Sequence, residues 1–269
     1  MIAIPFQSSR TFSYSGGIMR HLTRIIPLFL VAALLIGCAN KTPMLRKQSE
    51  ALRNLGEAYM SQGDYTIALK QFLEAESLYA DDYLLQDDLG KAYTAKKRYE
   101  TALIHFQRSI DLQPDYAPAK NNMGSVFLLM QRWDEAIETL SQVTENILYA
   151  TPHYPLYNLG WAYYNKKMYA KAMAYYNKSL DIQPNFVLPI RGMALCHRDQ
   201  GRLADAIHWF EKGAMAAPNF QQLHFELASA YIRSGAYEKA KTTLAHTISI
   251  DEQTPIAQQA KRELKALSI

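Results

Sequence analysis

Cysteine is nearly absent from this 269-residue chain: Cys38 and Cys196 are its two thiols, which excludes a disulfide framework. No C-x-x-C, H-x-x-x-H or G-x-x-x-x-G-K-[ST] occurs, so the common metal-binding and phosphate-cradling signatures are missing. The seven histidines share no spacing, and no Ser, His and Asp stand in a catalytic motif context. His105 and His208 fall on expected second helices and His197 at an expected packing position. No enzyme, metal or cofactor is therefore expected. With 12 Gly and 11 Pro the chain is neither collagen-like nor low-complexity. One-signed charge is lacking too. The formal balance is +4, but Arg10, Arg20 and Arg24 precede residue 38, where there is no acid. From Cys38 onward 26 basic residues face 25 acidic ones, a net +1. Nothing in that balance calls for nucleic acid.

The apolar run Ile25 to Ile36 has 12 residues. That is short of the ~20 a membrane-spanning helix needs and fits the core of a signal peptide. Arg20, His21 and Arg24 form the basic end before it, and Leu35-Ile36-Gly37-Cys38 closes it. This segment resembles a bacterial lipobox, the export signal of lipoproteins. The resemblance implies removal of residues 1–37 and lipidation of Cys38 by fatty acyl chains such as palmitate. The mature chain would keep 232 residues, from Cys38 to Ile269. Several acyl chains, at ~0.8 kcal/mol per buried methylene, anchor far better than one. Ala39, where an Asp would mark retention, implies outer-membrane delivery with the chain facing the periplasm. Residues 1–18 look unlike a leader, so the true start is taken as Met19.

Beyond the leader a period appears. Gly56, Gly90, Gly124, Gly160, Ala194 and Ala228 recur at spacings of 34, 34, 36, 34 and 34. Each follows Leu or Met and precedes an aromatic residue or His three positions on. Tyr65, Tyr99, Trp133, Tyr169, Leu203 and Tyr237 form a second series, with an alanine three residues after each. Pro114, Pro184 and Pro218 close three units. These residues resemble the tetratricopeptide repeat, two helices per unit. The small residue lets two helices approach, and aromatics fill the space between them. The implied fold is all-α, a right-handed superhelical solenoid of six helix pairs. Its units are 49–82, 83–116, 117–150, 153–186, 187–220 and 221–254. A polar tether, 38–48, precedes them. A capping segment, 255–269, follows, with a helix over 256–267 that sets Ile256, Ala260, Leu264 and Leu267 on one face. Asp111, Asp115 and Asp181 near unit ends suit turns and helix caps. Asp81-Asp82 and Asp87-Asp88 read as helix-start charges, and Cys196 as a buried thiol.

In a tetratricopeptide superhelix, positions 2, 5, 9, 12 and 13 of each first helix line the concave wall. In the fourth unit these give Tyr154, Tyr157, Trp161 and Tyr164, a stripe at spacings 3, 4 and 3. The core of that helix is supplied by Leu156, Leu159, Gly160 and Tyr163, so the stripe either lines a ligand groove or packs on neighbouring helices. Leu128 and Leu129 flank it on one side and Leu188, Leu195 and Phe225 on the other, rimmed by Arg191, Arg198 and Arg233. Aromatics plus Arg are common anchors of peptide recognition. The co-chaperone form of the fold holds a peptide carboxylate with Lys and Asn. Here those places read Arg53, Glu57, Asp87, Lys91 and Asn121, whose mixed charges argue against that mode.

A narrower likeness rests on Asn121-Asn122-x-Gly124, on Leu148-Tyr149-x-x-Pro152 and on the two-residue insertion after the third unit. With the lipobox these resemble the pilotin-type lipoproteins of type IV pilus biogenesis, the PilF/PilW family. That resemblance implies a scaffold that helps assemble or stabilise an outer-membrane secretin, and in that family the early repeats are implicated in the contact. A general envelope adaptor that recruits cell-wall enzymes is the other reading.

Overall fold

The computed structural model describes residues 41–144 and 151–267. Cys38, the leader and the Leu148-Tyr149 pair lie outside the described residues. Among the described residues there are thirteen α-helices and no strand. They are α1 (Lys41–Gln62), α2 (Tyr65–Leu78), α3 (Tyr83–Ala95), α4 (Tyr99–Leu112), α5 (Ala117–Leu129) and α6 (Trp133–Thr144). Then come α7 (His153–Asn165), α8 (Tyr169–Ile182), α9 (Val187–Asp199), α10 (Leu203–Ala216), α11 (Gln221–Ser234), α12 (Tyr237–Ile250) and α13 (Pro255–Ala266).

Six hairpins result, each an odd-numbered helix packed on the even one after it, and each even helix packs on the next odd one. Successive odd helices also touch, as α1 does α3 and α7 does α9, whereas successive even helices make no comparable contact. A stack close-packed on one side and splayed on the other must curve. The odd helices therefore line the inner wall, and the whole is superhelical.

Tyr176 shows what holds neighbouring units together. Its ring is fully buried on α8, between Gly160 of α7 and Gly192 of α9. A methyl on either glycine would lie 2.4 Å from the ring, well inside van der Waals contact. Phe72, Phe106, Leu140, Phe210 and Leu244 occupy the same place in the other units and are fully or almost fully buried.

The turn inside each hairpin repeats as well. Gly63, Lys97, Gln131, Lys167, Gly201 and Gly235 all take φ between 58° and 83°. Glycine reaches that left-handed region without cost, while Lys and Gln hold it under strain.

Turns between units depart from expectation. Asp111 lies inside α4 and accepts from Gln107 at 2.8 Å, and Asp181 lies inside α8. Asp115 contributes its backbone carbonyl to Ala117 N at 2.8 Å rather than a side-chain cap. The prolyl turns satisfy themselves through the backbone, as in Tyr116 N to Gln113 O and Phe186 N to Gln183 O, both 3.0 Å. The residue before the helix is thereby free to be aromatic: Tyr116, Phe186 and Phe220. Side chains do cap α3, where Asp82 accepts from Leu84 N at 3.0 Å, and α13, where Thr254 accepts from Ala257 N at 3.1 Å.

The ends also differ. Residues 41–48, expected as tether, are helical and lengthen α1 by two turns. Arg46 lies over the Tyr79 ring at 5.7 Å, past the end of α2, and just beyond this extension Ser49 donates to Ala75 O at 2.9 Å. At the other end α13 buries Ala257 and Ala260, with Leu264 and Leu267 packed beside them. Ala257 was not expected on that face. No described helix is long and apolar enough to cross a membrane.

Candidate functional site: the inner wall

The inner wall divides into two chemically different halves. In the first, carried by α1, α3 and α5, charges neutralise one another. Arg53 Nη1 donates to Asp82 Oδ2 at 2.9 Å, and Lys91 pairs with Asp87 at 3.2 Å and with Asp88. Asn122 donates to Asp87 at 2.9 Å. Burial pushes the Asp88 carboxyl up to about 7 from 3.8, against the lowering effect of Lys91. The cations at Arg53 and Lys91 are thus occupied, so the wall there presents no free pair for a peptide carboxylate. Asp87 and Asp88, read from sequence as helix-start charges, are buried in this cluster in the middle of α3.

The second half, carried by α7, α9 and α11, is aromatic. A helix with apolar residues on two faces must bury one and show or half-bury the other. In α7 the core face is Leu156, Leu159 and Ala162. The other face divides along its length. Tyr154 is 46% exposed, with Phe186 edge-on at 5.4 Å and His153 at 4.3 Å. Tyr157 is half-buried against Tyr176 at 6.1 Å and Phe186 at 5.7 Å, and burial raises its hydroxyl pKa. Trp161 stacks on Tyr164 at 5.2 Å, and both pack against the cluster around Ala194 and Leu195. The Tyr164 hydroxyl donates to Asp199 Oδ2 at 2.5 Å and accepts from Arg198 at 3.4 Å. Partial burial works against the Asp199 charge, yet the bonds from Arg198 and Tyr164 hold its carboxyl below the usual range. The stripe is therefore both things weighed from sequence: Tyr154 is a free wall residue, while Tyr157, Trp161 and Tyr164 also join α7 to α9.

The flanking residues separate in the same way. Leu129 is 55% exposed and Leu128 half-buried on the core between α5 and α7. Leu188 is half-buried at the start of α9, and Phe225 half-buried on α11. Leu195, expected on the wall, is a core residue with 3% exposure. It packs with Leu223, Leu227 and Phe210, because α9 is covered on both sides. Arg191 is held by Glu226 through two bonds of 2.7 and 2.6 Å. Arg198 is held by Asp199 at 2.7 Å. Arg233 is exposed and makes no ion pair among the described residues, so it is the free cation of the three expected on the rim.

Between α9 and α11 the backbones approach less closely than between the other neighbouring odd helices, and the Arg191–Glu226 bridge spans them. A concavity of about 400 Å³ opens there, lined by Arg198, Gln222, Phe225, Ser229 and Arg233 with Glu226. Sequence reasoning missed Phe186, which backs both Tyr154 and Tyr157, and missed Glu226. The signal for Phe186 was present in the aromatics just before α5, α9 and α11. Glu226 carried none, since its partner is 35 residues away. Among the described residues no group of three or more His, Cys, Asp or Glu could hold a metal. Cys196 is buried and free, its thiol pushed up to about 12 by burial, which makes it a poor nucleophile.

Comparison with known proteins agrees with this architecture. Tetratricopeptide repeat family models match residues 47–115, 115–185 and 197–264. The structure is similar to that of PilF of Pseudomonas aeruginosa, with 17% identity, a TM-score of 0.68, and cover of 81% of this chain and 99% of that one. It is also similar to PilW, described as a widely conserved type IV pilus biogenesis factor. There the identity is 22%, the TM-score 0.70, and the cover 78% and 97%. YrrB, a tetratricopeptide protein with an unusual peptide-binding site, aligns at 18% identity and a TM-score of 0.50 over 71% of this chain and 97% of that one. Among curated proteins no match was found.

Proposed function

Because the chain belongs to the tetratricopeptide repeat family, a fold of protein-interaction scaffolds, we propose that it is a non-catalytic scaffold of type IV pilus biogenesis. In this reading it is tethered to the outer membrane through Cys38 and faces the periplasm. It holds a partner polypeptide, the pilus secretin, on its inner wall. The observation that carries the reading is the wall built by α7, α9 and α11. Tyr154, backed edge-on by half-buried Phe186, offers exposed aromatic surface at one end of it, and Arg233, without an ion pair among the described residues, a guanidinium at the other.

Aromatic rings bring large, rigid contact area at low entropic cost, and a guanidinium brings a directional pair for a carboxylate. Between the two ends Tyr164, Asp199 and Arg198 are already bonded to one another, which ties α7 to α9. The anchor adds avidity: a wall confined to the membrane plane meets a membrane-bound partner at high effective concentration. The fold shared with PilF and PilW, and the lipobox-like sequence before Cys38, support the pilus assignment.

The test is affinity purification of the full chain from detergent-solubilised outer membranes, beside a deletion strain. The reading expects a multimeric secretin in the eluate and lost pili in the deletion strain. Cell-wall hydrolases or synthases in the eluate, with piliation intact after deletion, would replace it with the adaptor reading.

A further inference from the structure

The first helix carries a complete stacking face on which nothing is stacked among the described residues. In the internal units, three places on the odd helix are covered by the even helix of the preceding unit. The third place holds Leu85, Ala119 and Leu223, all fully buried. The seventh holds Leu89, Leu159, Met193 and Leu227, none more than 5% exposed, and Met123, half-buried. The tenth holds Ala92, Val126, Ala162, Cys196 and Ala230, again 2% or less. On α1 the same places are Ala51, Leu55 and Ala58, and all three are exposed, Leu55 by 44%. Met44, 62% exposed, continues the seam N-terminally. Met44, Ala51, Leu55 and Ala58 lie within about 60° of one another around the helix. That is the narrow apolar stripe against which a second helix packs.

A polar ladder specifies the chemistry of what would pack there. In α3, α5, α7 and α11 the sixth place reaches the fifth place of the odd helix before it, while α9 has Gly192 there and no rung. Asp88 lies 4.0 Å from Arg53, Asn122 donates to Asp87 at 2.9 Å, and Asn158 reaches Asn121 at 3.4 Å. Glu226 closes on Arg191 at 2.6 Å. The same rung on α1 is Asn54, which is exposed and has no hydrogen bond among the described residues. An asparagine on this rung meets an aspartate at Asn122 and an asparagine at Asn158. Lys47 decides between the two. It lies two turns before Asn54 on the same edge of the seam, exposed and without an ion pair among the described residues. An amide donor and an ammonium side by side call for a carboxylate.

We propose that the outer face of α1 docks an antiparallel helical hairpin of a partner protein, whose second helix covers Ala51, Leu55 and Ala58 and whose first helix presents a carboxylate to Asn54 and Lys47. The seam continues the interface that joins every pair of neighbouring units, so its occupant is a helix in the place of an even one. A second copy of this chain does not supply it, because both ends of the stack, α1 and α13, are odd helices. Charge argues the same way: α13 would bring exposed Lys261, Arg262 and Lys265 toward Lys47.

The surface is distinct from the inner wall, so the two readings fail separately. A photoreactive benzoyl-phenylalanine replaces Gln48, exposed at the other edge of the seam, in the full chain and in cells that make the protein natively. The cross-linked peptide is then sequenced. The expected adduct is a helical hairpin of a different protein with Asp or Glu on its first helix. Asn54→Asp, which keeps the shape and sets like charges together, should cut its yield at least tenfold with an unchanged melting temperature. Lys47→Glu should do likewise, Asn54→Ala should cut the yield less, and Tyr154→Ala should leave it unaltered. Exchanging the identified acid for its amide should restore capture by Asn54→Asp. Adducts confined to residues 1–37 of this chain, to a second copy or to phospholipid would overturn the proposal. So would the absence of any adduct, a yield indifferent to Asn54→Asp, or failure of the exchange.

Discussion

Gly192→Ala tests the packing that sets the spacing of the inner wall. Helix propensity alone favours this substitution by up to about 1 kcal/mol in a helix interior. The site forbids it. The added methyl would lie 2.4 and 2.5 Å from two carbons of the Tyr176 ring, about 1 Å inside ordinary contact. The ring cannot retreat, because Gly160 holds its other face equally closely. Either α9 moves away from α8 or the tyrosine leaves its rotamer, and overpacking of that kind costs ~1–3 kcal/mol. After the propensity gain, a net loss of about 1–2 kcal/mol is expected, a fall in melting temperature of roughly 2–8 °C for a chain of this size. Circular dichroism melts of the mature chain would measure it. Tyr176→Leu in the Gly192→Ala background should recover part of the loss, because the smaller side chain leaves room for the methyl. A rise in melting temperature for Gly192→Ala, or additive losses in the double variant, would refute the reasoning.

Three further outcomes are expected. Gln131→Gly should raise the melting temperature, by relief of about 1 kcal/mol of left-handed strain at φ 60°; no change on a calorimetric scan would contradict it. Asp88 keeps its proton up to about pH 7 in the fold, by burial, but loses it near pH 4 when unfolded. Wild-type stability should therefore fall relative to Asp88→Asn as pH rises from 4 to 7, by up to roughly 4 kcal/mol, and level off above. Urea titrations in which the wild type instead gains on the variant across that window would show that Lys91 outweighs burial. Trp161→Ala should lower both the melting temperature and partner capture, since the ring stacks on Tyr164 and packs against α9; loss of capture alone would make it a pure wall residue.

The solenoid was legible because its determinants recur. A small residue every 34 or 36 positions and an aromatic or leucine to fill the gap behind it leave few alternatives to stacked hairpins. The site was legible in part for the same reason: Tyr154, Leu129 and Arg233 lie exposed at the places the repeat register gives them. Leu195 broke that register, because burial depends on what covers a helix from both sides and not on its own spacing. The residues that tie the wall together, Glu226 to Arg191 and Asp199 to Tyr164, pair across 35 positions. No local pattern announces such pairs. The tether was misread because α1 continues two turns past the consensus start. The turns near Asp111, Asp115 and Asp181 were misread because backbone groups, not those carboxylates, satisfy the helix ends there, whereas Asp82 caps α3 as its place in the sequence suggested.

The central claim is that the wall of α7, α9 and α11 grips a partner protein. Secretin recovery from solubilised outer membranes should be compared between wild type and the double variant Tyr154→Ala/Arg233→Glu, which alters two exposed residues without touching the core. Recovery should fall at least tenfold while the melting curve stays where it was. Undiminished recovery by a normally folded double variant would contradict the account.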